Sequence, residues 1–187
     1  MFLSITIIIL LLLGFYAGYR RGVLLEGVYL LGYCLSFVAA VHFYQPLAQK
    51  IALWVPYPTP QLNSPLYFYN KELLFHLDQS FYAGLAFIII LFIGWLIVRF
   101  VGALCRQLTF VGSHFQFVRI ASGLLGGVIH TIIIYTGVTL MLVLASFLPV
   151  KNVQETLDLS PIASSMIEES PILSAKLYDL WVTTIQK

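Results

Sequence analysis

The chain has 187 residues, of which 60% are apolar and 10% charged, and its mean hydropathy is +0.93. A soluble domain carries about a quarter charged residues, so this composition excludes a water-facing globular surface. The net charge of +2, without a basic run longer than two residues, excludes an electrostatic footprint for nucleic acid. The apolar residues lie in long blocks, which indicates that lipid surrounds much of the chain.

Four apolar blocks are long enough to cross about 30 Å of hydrocarbon as helices. We predict spans at about 2–19, 23–43, 81–104 and 120–148, which together form a membrane domain, 1–148. The first block has no basic segment before it and ends in arginines, so we interpret it as a retained helix and not as a cleaved signal peptide. The sequence therefore predicts an all-α integral membrane protein with four transmembrane helices, plus short interfacial and C-terminal amphipathic helices.

Two segments join the second, third and fourth spans. The external loop, 44–80, contains five prolines and many aromatic residues, which favours an irregular segment along the membrane surface over a long helix. A peptide- or lipid-binding lip is the alternative for this loop. The cytoplasmic loop, 105–119, suits a short interfacial helix with a break at Gly112.

The external amphipathic tail, 149–187, follows Pro149, which is expected to end the fourth helix. Serine followed by proline occurs at Ser160 and again at Ser170. Serine is a favoured N-cap and proline a favoured first helical residue, so each pair predicts the start of a short helix. We expect the second helix to lie on the outer membrane surface or to cover the external end of the bundle.

Cationic residues near the span ends predict the orientation of the chain. The arginines lie in the turn between the first two spans, at the end of the third span and in the loop that follows it: Arg20, Arg21, Arg99, Arg106 and Arg119. The lysines lie in the loop and the tail. Because cytoplasmic segments are enriched in cations close to the spans, we predict a multi-pass protein of the cell (plasma) membrane with both termini external.

Small residues recur every four positions in three of the predicted spans. Helices in lipid associate through close packing, so such rows predict faces on which backbones approach each other, within one chain or between copies. The sequence therefore leaves open whether the chain forms a homo-oligomer or binds another membrane protein. The predicted packing residues are Gly14, Gly18, Gly32, Ser36, Gly123 and Gly127.

Glu26 is the one acidic residue inside a predicted span. A carboxylate in hydrocarbon is costly, so it pairs, becomes neutral or faces a cavity. One interpretation pairs it with Arg20 or Arg21; the other makes it part of a polar path along the face that carries Tyr29 and Tyr33. His130, in the fourth span, either hydrogen-bonds a neighbouring helix or acts as a proton-relay or ligand residue.

Three stretches of the sequence resemble the CvpA family, membrane proteins linked to colicin V production. The first span ends in Tyr19-Arg20-Arg21-Gly22 and is followed by Glu26, the run Val118–Gly127 is glycine-rich, and Ser160-Pro161 follows the last span. Family members often have an acid at the positions of Ser4 and Val118, so a mechanism built on those acids does not extend to this chain. The candidate functional residues are Arg20, Arg21, Gly22, Glu26, Tyr29, Tyr33, Arg119, Gly126 and His130.

The sequence has no recognisable catalytic motif, metal-ligand spacing or phosphate-binding glycine loop, so we predict a protein that is not an enzyme and has no cofactor. The resemblance implies a role in toxin production or export, or in envelope maintenance. The alternative is a small oligomeric channel or transporter with a polar face around Glu26. The expected surroundings are the lipid bilayer and membrane proteins, without nucleic acid.

Overall fold

The computed structural model of the protein describes residues 2–58, 67–69, 77–104, 116–170, 176–177 and 180–181. Its helices are α1 (Phe2–Arg21), α2 (Val23–Ile51), α3 (Leu77–Leu104), α4 (Gln116–Ser146), α5 (Lys151–Asp158) and α6 (Pro161–Glu168). The described residues contain no strand. The first four helices are long and apolar enough to cross a membrane, which confirms the predicted fold class.

The outside of the bundle is apolar. Leu31 and Leu35 on α2 are about 70% exposed, and Phe100 and Leu104 on α3 are equally open. A water-soluble surface would not present so many large apolar side chains together. These faces are therefore suited to lipid.

The four long helices associate as two pairs. α1 packs mainly on α4, and α2 packs mainly on α3, while contacts between α2 and α4 join the two pairs. The helices adjacent in sequence, α1 and α2, share few contacts. The end of the bundle where α1 and α3 finish and α2 and α4 start carries Arg20, Arg21, Arg99 and Arg119, and we call it the arginine end.

α2 continues beyond the predicted span, through Pro46 to Ile51. Proline removes one helical hydrogen bond, which is why the sequence indicated an irregular loop from residue 44 onwards. The residues that follow the proline compensate, because Leu47, Ala48 and Ile51 pack against the main hydrophobic core. The prolines at 60 and 65 lie outside the described residues, as does the predicted break at Gly112.

The last two spans also differ from the predicted limits. α3 begins at Leu77, a full turn before residue 81, because Leu77 and Ser80 are buried in the bundle. α4 ends at Ser146, three residues before Pro149. Its end is closed by Gln154 of α5, which is fully buried and whose Nε2 donates to the carbonyl oxygens of Ser146 (2.8 Å) and Leu148 (3.0 Å). This amide takes the place of the missing helical donors.

The tail covers the end of the bundle opposite the arginine end. Ser160 is the N-cap of α6, and its hydroxyl accepts a hydrogen bond from the Ala163 N–H (3.3 Å), with proline at the first helical position. That prediction is confirmed, whereas residues 171–175 after Ser170 lie outside the described part. Leu177 and Trp181 are fully buried, and the Trp181 ring contacts Phe87 of α3 and Phe147, which follows α4. This part of the tail therefore belongs to the core.

Candidate functional site

Gly22 alone separates α1 from α2. Its φ of 80° lies in the left-handed region, which glycine adopts without the steric cost of a Cβ. The Val23 N–H, at the start of α2, has no helical acceptor and donates to the Ser122 hydroxyl of α4 (3.1 Å). The turn between the first two spans is thereby fastened to the fourth.

The predicted glycine faces meet within the chain. A Cβ on Gly18 would lie 2.6 Å from His130 Cβ and still closer to the Gly126 carbonyl oxygen, so the two backbones touch here. Gly123 and Gly127 receive the rings of Tyr19 and Phe15, and Gly14 faces Ile134. These glycines therefore allow the backbones of α1 and α4 to approach each other closely, as small residues do in membrane helix packing.

The second small-residue face packs on α3. Gly32 lies under the Val98 side chain, and Ser36 lies against Gly94. The Ser36 hydroxyl donates to the Gly32 carbonyl oxygen in its own helix (2.8 Å), so it has a partner without water. This face is thus the α2–α3 contact.

The close approach of α1, α2 and α4 encloses Glu26. Its side chain is 0% exposed, and its two carboxylate oxygens have separate partners. Arg21 Nη1 lies 3.0 Å from Oε1, and His130 Nδ1 lies 2.9 Å from Oε2. Of the two interpretations, the structure contains the arginine pair, with the histidine as a second partner that the sequence did not assign to Glu26.

Three helices therefore supply one polar side chain each to a single cluster. A hydrogen bond joins His130 Nδ1 to Glu26 Oε2 across the α2–α4 contact. Arg21 keeps 24% of its side chain exposed and can solvate its remaining donors at the arginine end. Removal of one partner from a buried carboxylate strongly destabilises the folded protein. The cluster therefore makes the positions of α1, α2 and α4 depend on one another.

Two tyrosines continue this cluster along α2. The rings of Tyr29 and Tyr33 stack with centroids 6.2 Å apart, and Tyr29 is buried against Gly102 of α3. Arg21 Cζ lies 5.3 Å from the centroid of the Tyr29 ring. The predicted face of α2 thus contacts protein, and it links the Glu26 cluster to α3.

Two further predicted candidates are exposed at the arginine end. Arg20 is exposed and lies over its neighbour Tyr16 (5.9 Å to the ring centroid), and Arg119 is exposed near the start of α4. Arg99 entered the predictions only through the orientation of the chain, yet its guanidinium lies over both Tyr29 and Trp95. The four-residue spacing of Trp95 and Arg99 on one helix was the signal that could have identified this contact.

The described residues contain no group of three or more His, Cys, Asp or Glu side chains that could hold a metal ion. A groove of about 300 Å³ lies between α2 and α3, lined by apolar side chains with Gly32, Ser36 and Gly94. Glu26, Tyr29 and Tyr33 do not line this groove.

Comparison with known proteins identifies the family. The sequence matches the family described as Colicin V production protein over residues 3–171. It is 31% identical over 180 residues to a protein of Bacillus subtilis (strain 168) described as the uncharacterized transmembrane protein YshB, covering 96% of this chain and 97% of that protein. No solved structure matches the chain. The four apolar helices and the transmembrane relative indicate a multi-pass membrane protein. With nine-tenths of its length matched, including the Glu26 cluster, the chain belongs to the Colicin V production protein family.

Proposed function

We propose that the protein is a non-enzymatic membrane scaffold or accessory factor for the production or export of a colicin V-type toxin, or for maintenance of the cell envelope. The description of the family supports the link to toxin production. The observation that carries the scaffold role is the enclosure of Glu26, which is 0% exposed and held by Arg21 and His130. A general base or nucleophile must reach a substrate, whereas this carboxylate fixes three helices.

A scaffold also needs a surface for its partner, which would be another membrane protein or a second copy of the chain. The glycine faces of α1 and α4 are occupied within the chain. The outer faces of α2 and α3, with the groove beside Gly32 and Gly94, remain open to such a contact. Substitutions that fill this groove are therefore the choice for disrupting a partner.

The proposed location is the plasma membrane with the arginine end in the cytoplasm and both termini outside. The test uses a variant in which Cys34 and Cys105 are replaced by serine and one new cysteine is introduced. Pro58→Cys, at an exposed position beyond α2, should react with a membrane-impermeant maleimide in intact cells. Arg20→Cys, exposed at the other end, should react only after permeabilisation. The reverse pattern overturns the orientation.

The functional test uses a colicin V-producing bacterium that lacks its own member of this family. Expression of the wild-type chain should restore the growth-inhibition halo around colonies, and Glu26→Gln should restore it less. Glu155→Gln, in an exposed pair with Lys151, is the matched control and should act like wild type. Survival under detergent stress, measured in the same strains, reports the envelope role. Restoration of neither phenotype by membrane-inserted wild-type protein overturns the proposal.

The second candidate is a small oligomeric channel or transporter. The observation in its favour is the buried hydrogen bond between Glu26 and His130, two titratable groups at membrane depth. Purified protein in liposomes with an enclosed pH-sensitive dye tests it. A proton flux abolished by Glu26→Gln would establish this function and displace the scaffold role.

A further inference from the structure

Arg99 is a cation that the Glu26 cluster does not use. It lies on α3, five residues before the helix ends at Leu104, which is about 7.5 Å along the axis. The residues around it are apolar, with Phe100 and Leu104 about 70% exposed. A guanidinium at this depth must be satisfied by a partner or by extension towards the membrane surface.

The aromatic contacts of Arg99 fix its position without using its hydrogen-bond donors. Arg99 Cζ lies 5.3 Å from the Trp95 ring centroid and 5.7 Å from that of Tyr29. Both contacts place the positive charge over the face of a ring, and neither uses one of the five N–H donors in a hydrogen bond. Among the described residues, no acidic side chain forms an ion pair with Arg99.

A second guanidinium lies beside Arg99. Arg21 lies over the same Tyr29 ring, so two guanidinium groups contact one tyrosine. Glu26 offsets one of these positive charges through its pair with Arg21. The positive charge of Arg99 is thus left without an ion pair among the described residues.

We propose that Arg99 binds the phosphate group of an anionic phospholipid at the arginine end of the bundle. A guanidinium matches phosphate geometry through two parallel N–H donors, and the ring contacts of Arg99 do not use its donors in hydrogen bonds. The exposed apolar surface of α3 beside it accommodates the acyl chains. A lipid source is favoured over free phosphate because the site adjoins this lipid-facing surface rather than a water-filled pocket.

The test measures lipid binding to the purified protein in detergent by native mass spectrometry. Dioleoylphosphatidylglycerol is the anionic probe, dioleoylphosphatidylcholine is the zwitterionic one, and inorganic phosphate is the free anion. The first phosphatidylglycerol should bind more tightly than phosphatidylcholine. Arg99→Gln should weaken its binding roughly fivefold, the effect of one basic residue at an anionic membrane surface.

Arg20→Gln is the matched control, because Arg20 lies at the same end but in contact with Tyr16 alone among the described rings. It should leave the first lipid bound as in wild type. Arg99→Lys, which keeps the charge but loses the planar donors, should fall between wild type and Arg99→Gln. Because Arg99→Lys keeps a cation at this position, it also tests the proposal if Arg99→Gln fails to fold.

Two results would overturn the proposal. Equal losses in Arg99→Gln and Arg20→Gln would show that the arginine end attracts lipid by diffuse charge only. Displacement of phosphatidylglycerol by inorganic phosphate at comparable concentration would assign the site to a free anion instead.

Discussion

Replacement of Gly18 by alanine tests the central contact of the fold. The added methyl group would lie 2.6 Å from His130 Cβ and 2.9 Å from the Gly126 carbonyl carbon. Ordinary contact begins near 3.5 Å, so α1 and α4 would have to separate by roughly 1 Å. A gap of that size removes roughly a quarter to a half of the dispersion energy across the contact. Overpacking costs about 1–3 kcal/mol, and we expect the upper part of this range because a backbone carbonyl cannot rotate away.

Thermal unfolding of the purified protein in detergent measures the effect. Each kcal/mol of lost stability should lower the melting temperature by about 2–4 °C in a chain of this size. Gly137→Ala, on α4, is the control, since a Cβ there meets nothing within 4 Å. It should leave the melting temperature unchanged or raise it slightly. Gly14→Ala should have an intermediate effect, because the obstacle is a side-chain carbon of Ile134 at 3.0 Å. Equal melting temperatures for the Gly18 and Gly137 variants would refute the reasoning.

Three further predictions concern single side chains. Glu26→Gln should lower the free energy of unfolding in detergent by about 1–3 kcal/mol. This is less than the roughly 3–5 kcal/mol lost when a fully buried ion pair is broken, because Arg21 reaches water. The control Glu155→Gln should change it by under about 0.5 kcal/mol. Ser160→Ala should cost about 0.5–2 kcal/mol through loss of the α6 cap, measured in the same way. Burial raises the pKa of the Tyr57 phenol, and the nearby Asp78 and Tyr82 raise it further. The folded state therefore keeps the phenolic proton at a pH at which the unfolded chain has lost it. Stability should therefore fall as pH rises above about 10, and a Tyr57→Phe variant should show a shallower fall in melting temperature between pH 9 and 11.

Hydropathy and length predicted the four membrane helices, because lipid demands long apolar segments whose backbone groups are paired internally. Helix limits were predicted less well. Pro46 predicted an early end for α2, but packing of the residues beyond it outweighs the lost hydrogen bond. No sequence signal identified the role of Gln154 at the end of α4. This glutamine lies eight residues after Ser146 and reaches its carbonyl oxygen only because the chain folds back there.

Parts of the Glu26 cluster were predictable and parts were not. The position of Glu26 just after the arginine turn predicted, as one of two interpretations, a pair with Arg20 or Arg21, and the structure contains the pair with Arg21. The choice of His130 as the second partner depends on which helices touch, and that follows from the fit of side chains to glycine backbones. Four-residue glycine rows predict a close contact but do not name the helix on the other side.

The pairing of α1 with α4 has a consequence for biosynthesis. Helices enter the membrane in chain order, so α1 and α2 are in lipid before α4 has been made. Since α1 shares few contacts with α2, its glycine face has only lipid, or an insertion chaperone, to cover it during that interval. Glu26 likewise waits for His130, with Arg21 as its early partner from the neighbouring turn. Release from the insertion machinery should therefore follow the arrival of α4, and chains truncated before residue 116 should remain bound to that machinery or be degraded.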